Sequence, residues 1–178
     1  MTPKLNLRET RCVKMAEQPN PARVVADADV LAADLLVGGD AREAIDHVRR
    51  HSWVELVATD ELLEETERLV AALADADLAA THRERLEAER VRVEQPPEDH
   101  PALASAYQGD AAHLLSYDER LGSAKAGLTL QPRVSLSIRP PDAFAALFDP
   151  ESLYRTVEDH DDEYPGPDRD PRNGGPFE

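Results

Sequence analysis

Asp27, Glu65, Asp99 and Asp118, spread widely along a chain of 178 residues, sit where a metal site could form. Asp27 directly follows Arg23-Val-Val-Ala26. Asp118 stands two residues past Ser116, which closes Ala112-His-Leu-Leu-Ser116. Glu65 lies in the helical pattern after Trp53-Val-Glu-Leu-Val-Ala58, and Asp99 lies ahead of a helix opened by Pro101. If the ends of these runs converge, the four carboxylates share one crevice. Like charges raise one another's pKa, so such a cluster calls for a cation. Oxygen donors without His or Cys suit a hard ion, Mg2+ or Mn2+. Two such ions would activate a water and stabilise the leaving oxygen of a phosphodiester. Asp29, Ser116 and Asp110 are the supporting candidates. Glu64 is the alternative to Glu65, and Glu98 or Asp110 the alternative to Asp99.

Other chemistries find less support in these residues. None of the six His stands at i, i+4 spacing with the Glu of a zinc protease helix. His113 reads as a packed strand residue, and His100 only neighbours a candidate ligand. Ser116 has no Ser-His-Asp arrangement around it and reads as an orienting group for Asp118. The single cysteine, Cys12, allows no intrachain disulfide. Gly38-Gly39 has no Lys after it, so it is a helix stop and not a phosphate loop.

The elements that must position the acids alternate between short apolar runs and helical patterns. Strands are expected at 23–26, 53–58, 91–93, 112–116 and 134–138. Helices are expected at 29–37, 41–50 (capped by Asp40), 60–70 (capped by Thr59), 77–89, 101–107 and from Asp142. Strands joined by helices imply an α/β fold, a three-layer α/β/α sandwich on a mostly parallel sheet of about five strands. Ligands of such sheets bind beyond the carboxyl ends of the strands, where Asp27 and Asp118 fall. The domain is expected over 21–150. Residues 1–20 read as a disordered tail whose first 14 residues are an extension ahead of a start at Met15. Residues 151–178, acidic and rich in Pro and Gly, read as a second disordered tail.

Composition frames the partners. Hydrophobic residues are 41% of the chain but aromatics only 4%, so Ala, Leu and Val must fill the core. Asp and Glu number 36 against 20 Lys and Arg, a formal net charge of −16, and only Lys4, Lys14 and Lys125 are lysines. Such a surface repels nucleic acid at low ionic strength and is screened at molar salt, where the Debye length is about 3 Å. This pattern suggests a halophilic, cytoplasmic protein with no membrane span. Equilibrium unfolding is expected to give higher stability in molar KCl than at low salt; equal stability would count against salt adaptation.

The stretches Val24-Val-Ala-Asp27-Ala-Asp-Val-Leu31, Thr59-Asp-Glu-Leu-Leu-Glu-Glu65, Asp99-His-Pro-Ala-Leu-Ala-Ser-Ala106 and Leu114-Leu-Ser-Tyr-Asp118 resemble the PIN domains, metal-dependent ribonucleases. Pro140-Pro-Asp-Ala-Phe144 is similar to that family's last helix. The resemblance spans about 22–149 and implies that Asp27, Glu65, Asp99 and Asp118 are catalytic and hold Mg2+ or Mn2+. It departs at Ala28 and Asp29, where the family has a small polar residue and then Asn. It implies RNA as substrate and leaves room for an antitoxin or other protein partner and for a homodimer. Arg23, Arg120, Lys125, Arg133 and Arg139 are the candidates for a local basic patch. Two other readings stay open. One is a PIN-like module that binds RNA or protein without cutting. The other rests on Asp27-Ala-Asp29, which resembles the paired Asp of haloacid-dehalogenase phosphatases. That family wants Thr or Ser where Leu31 stands.

Overall fold

In the computed structural model, the described residues are 18–121, 135–158 and 162–172. The chain runs β1 (Asn20–Ala26), α1 (Ala28–Leu36), α2 (Gly39–Arg49), β2 (Glu55–Ala58), α3 (Asp60–Leu73), α4 (Ala76–Glu89), β3 (Arg90–Arg92), α5 (Pro101–Gln108), β4 (Ala111–Leu115), β5 (Ser137–Arg139), α6 (Pro141–Leu147) and α7 (Pro150–Glu158). The five strands form one all-parallel sheet in the order β3-β2-β1-β4-β5. Helices flank it, giving the α/β/α sandwich expected from the alternating pattern.

Local chemistry explains the element ends. Thr59 caps α3 by accepting from Leu62 N at 3.2 Å, and Asp75 caps α4 by accepting from Leu78 N at 2.8 Å. Pro101 opens α5, where its missing N–H costs nothing. The second helix starts earlier than Asp40: Gly38 and Gly39, at φ 79° and 56°, make the turn that β-carbons would strain. Asp40 therefore sits inside the first turn rather than at the cap.

The core is aliphatic. Val24, Val25, Ala26, Leu31, Ile45, Val57, Leu62, Leu63, Leu86, Leu114 and Leu115 are almost fully enclosed. Central strands read as continuous apolar runs because both sheet faces are covered. An ionic network crosses the helical layer. Asp34 of α1 receives Arg42 Nε at 2.5 Å and Arg49 Nη2 at 2.8 Å, both from α2. Arg49 also pairs with Glu89 of α4 at 3.1 Å. The Arg49 and Asp34 side chains are only 6% and 2% exposed. Burial works against the Arg49 charge, but Asp34 and Glu89 outweigh it and raise its pKa.

The stretch expected as an unstructured C-terminal tail is instead built into the fold as far as it is described. It forms α7 and a strap, residues 162–172, laid against the turn from α2 to β2. His51 Nε2 meets Tyr164 Oη at 2.6 Å, Ser52 N donates to Asp168 Oδ1 at 2.8 Å, and the Asp168 and Arg169 amides donate to Arg50 O. Trp53 packs edge-on to Tyr154, with centroids 5.3 Å apart. The missed signal was aromatic: two of the four tyrosines lie in a segment otherwise acidic and Pro-rich. Met1 to Glu17, including Cys12 and the start at Met15, lie outside the described residues. Of the expected N-terminal tail, Asn20 already belongs to β1. No helix among the described residues is long and apolar enough to cross a membrane.

Candidate active site

The order of strands makes the crevice. The chain leaves β1 toward β2 and β3, then returns to lay β4 on the other side of β1. That reversal opens a gap at the carboxyl ends of β1 and β4. Register then brings two side chains level. Ala26 pairs with Leu115, so the next residues, Asp27 and Ser116, emerge side by side. Asp27 N continues the ladder to Leu115 O at 2.8 Å, and Ser116 N reaches Arg139 O at 3.2 Å.

Asp27 is 7% exposed and fully engaged. Its Oδ1 accepts from Ala28 N at 2.8 Å at the head of α1, and its Oδ2 accepts from Ser116 Oγ at 2.9 Å. The Ser116 hydroxyl also accepts from Asp118 N at 3.0 Å. In the first turn of α1, Asp29 Oδ2 accepts from Tyr117 N at 3.2 Å. Two carboxylates of the β1–α1 junction thus tether the loop Ser116–Asp118 after β4.

Charge is unevenly settled here. Burial raises the Asp29 pKa first, and the Asp27 charge raises it further; two amide hydrogen bonds and a weaker push from Asp118 do not reverse this. Asp118 is held below the usual carboxylate range by Arg120, whose Nε and Nη2 each lie 3.0 Å from its oxygens. That pair is solvent-exposed and contributes little to stability. Tyr117 projects beside the acids, 48% exposed, and burial and the charges of Asp29, Asp40 and Asp142 push its hydroxyl pKa up.

An upward-shifted carboxyl is a cost to the folded state at neutral pH. The folded chain binds the Asp29 proton more tightly than the unfolded chain. Its contribution therefore falls as pH rises out of the ordinary carboxylate range and through the raised folded value. Asp29→Asn is expected to raise the urea midpoint at about pH 7, and to gain little at about pH 4. An unchanged or lower midpoint at neutral pH would contradict the like-charge strain.

The four expected ligands do not all meet. Asp27 and Asp118 converge, with Asp29 and Ser116 between them. Glu65 stays half-buried on α3, and no hydrogen bond among the described residues joins it to Asp27. Asp99 is exposed in the loop before α5; its backbone carbonyl accepts from Gln95 Nε2 at 2.8 Å. The alternatives do not close the set either: Glu64 and Glu98 are exposed. Asp110 stands at the amino end of β4, its carbonyl accepting from Asn20 N, which is the opposite edge of the sheet. Among the described residues, no three His, Cys, Asp or Glu stand close enough to hold a metal ion. The donor chemistry fits a hard cation in kind, but the arrangement of ligands does not enclose one.

The expected basic patch does not assemble. Arg23 faces the amino edge, bound to Glu55 at 2.7 Å and Gly109 O at 3.0 Å. Arg139 turns back onto Ser137, and Arg120 clasps Asp118. Lys125 and Arg133 lie outside the described residues. The sequence reading also passed over Ser105 of α5. Its buried hydroxyl accepts from Thr59 N at 3.0 Å and so ties the carboxyl end of β2 to α5. A lone Ser in a run of alanines was the available signal.

One family model matches the chain over residues 18–172, from the residues before β1 to the end of the strap; its description is family of unknown function (DUF7384). No curated protein and no solved structure matches it.

Proposed function

The chain belongs to the DUF7384 family, whose function is unknown, and from its own site residues we propose that it is a divalent-metal-dependent ribonuclease of the PIN kind. The observation that carries this reading is the buried Asp27 at the β1–β4 gap, bonded to Ser116 and crowded by Asp29, with Asp118 on the tethered loop. A polar knot of this kind, placed where parallel sheets bind ligands, serves positioning better than it serves stability. Asp27, Asp29 and Asp118 do not enclose an ion as they stand and would have to draw closer to hold Mg2+ or Mn2+, which would supply an activated water for phosphodiester hydrolysis. The chain's own groups do the orienting. Ser116 fixes Asp27 Oδ2, the Ser116 hydroxyl and Asp29 hold the loop amides, and Asp29 is the carboxyl best able to keep a proton. Asp118, bound to Arg120 on both oxygens, would have to leave that arginine to take part. Glu65 and Asp99 belong to this proposal only as outlying carboxylates.

A second reading has its own observation. A site with no enclosed three-ligand group suits a PIN-like module that binds RNA or a protein without cutting. Calorimetric titration of Mn2+ into the full chain, together with an RNA cleavage assay, separates the two. The nuclease reading expects saturable heat and cleavage in the wild type. Asp27→Asn is expected to weaken Mn2+ binding about tenfold, near 1.4 kcal/mol. Absence of saturable binding in the wild type favours the non-catalytic module.

A further inference from the structure

Acidic chains distribute their arginines sparingly, yet this one gathers five of seventeen around a single cleft of about 670 Å3. Arg42, Arg49 and Arg50 come from α2, Arg85 from α4 and Arg172 from the C-terminal strap. We infer that this cleft binds a linear oligophosphate group.

The cleft is separate from the carboxylate crevice. Its lining includes none of Asp27, Asp29, Ser116, Tyr117 and Asp118, and Arg49 and Arg50 close α2 at the end far from Asp40.

Its guanidiniums are incompletely neutralised. Asp34 is shared between Arg42 and Arg49, Glu89 between Arg49 and Arg85, and Asp46 between Arg49 and Arg50. Among the described residues these four cations draw on three carboxylates, and Arg172 and Asp170 complete the lining. The Arg50–Asp46 contact is the loosest, at 4.0 Å, with Arg50 45% exposed. Arg172 stands across the cleft beside Asp170, whose Oδ1 accepts the Arg172 amide at 2.9 Å. Arg49 Nη2 is buried 2.8 Å from Asp34 Oδ2 without a well-aligned hydrogen bond.

The walls are held in place before any ligand arrives. Arg85 Nη2 donates to Pro171 O at 2.6 Å, and Arg50 O takes two strap amides. Guanidinium forks set on three segments match several anionic oxygens at once, the geometry at which arginine outperforms lysine. The volume falls in the range of about 300–1,000 Å3 of small-ligand pockets. No aromatic ring lines the cleft, so it offers a base no aromatic platform. The recognised part is the phosphate chain itself, whether free pyrophosphate or tripolyphosphate or the tail of a nucleotide.

The test is calorimetric titration of inorganic tripolyphosphate into the full chain at low ionic strength, repeated with Arg50→Gln/Arg172→Gln. These rim residues make few internal contacts, and thermal melting of the variant checks that it is folded. The expected result is 1:1 binding with Kd raised about tenfold or more in the variant. Tripolyphosphate is also expected to raise the melting temperature of the wild type alone. Equal affinity for pyrophosphate and ADP supports recognition of the phosphate chain; tighter ADP binding, equally lost in the variant, assigns the nucleotide as its source. Unsaturable binding, an affinity no better than that for sulfate, unchanged binding in the variant, or binding of single-stranded RNA in place of tripolyphosphate would each overturn the inference.

Discussion

Asp34→Ala is expected to destabilise the domain by about 3–5 kcal/mol, read as a lower urea midpoint with an unchanged slope. The cause is what the substitution leaves behind. Arg49 remains 6% exposed, with Glu89 at 3.1 Å and Asp46 at 3.8 Å as its remaining partners. Arg42 loses its carboxylate and, among the described residues, keeps only the hydrogen bond from Nη2 to the backbone carbonyl of that same position. Removing one member of a buried ionic set costs far more than the set contributes, because the remaining charge stays desolvated. The double variant Asp34→Ala/Arg49→Met is therefore expected to recover much of the loss. If the double variant is no better than the single, the cost lies in packing at α1 and not in an orphaned charge. A loss below about 1 kcal/mol would mean that Glu89 and Asp46 suffice.

Gly109→Ala is expected to cost about 3 kcal/mol, the upper part of the range for overpacking. Gly109 closes α5 just before β4, and a β-carbon there would stand 2.3 Å from Val57 Cγ1 and 3.0 Å from Ser105 O. Val57 is fully buried at the middle of β2 and, being β-branched, has few alternative rotamers. Ser105 cannot retreat without releasing the Thr59 amide. The backbone at Gly109 has an ordinary φ of −94°, so the penalty is one of space alone. Pairing the substitution with Val57→Ala should restore part of the stability, and chemical denaturation of the two single variants and the double would measure that coupling. Independent, additive losses would show that strain at the turn, not contact with β2, dominates.

The periodic parts of the fold were legible in the sequence because their signals are local. Apolar runs, Thr59 at a cap, Pro101 at a first turn and Gly38-Gly39 at a stop each act over a few residues. Asp27 was readable for the same reason: an acid directly after a buried run has few ordinary explanations. Other features depend on what tertiary assembly brings together. Glu65 and Asp99 fitted a spacing pattern, but α3 and the loop before α5 carry them along their own surfaces and not into the gap. Asp110 is close to β4 in sequence yet belongs to its other end, because a strand separates its two edges however short the chain between them. The C-terminal strap was misread through composition. Acidic, Pro-rich segments usually cannot offset their ordering entropy, but here Tyr154 and Tyr164 find Trp53 and His51, and Asp168 finds Ser52. The arginine cleft was invisible for a related reason: its members come from positions 42 to 172, and each alone reads as a helix-surface charge.

The central position of β1 sets a clock on synthesis. One neighbour, β2, follows it closely, but the other, β4, begins only at Ala111. At translation rates of about 5–20 residues per second, roughly 5–20 seconds separate the emergence of β1 from that of the partner that covers its second edge. Until then Val24, Val25 and Ala26 offer unpaired amides and an apolar strip to whatever is nearby. A ribosome stalled between Ala58 and Ala111 is therefore expected to release an aggregation-prone fragment rather than a smaller domain.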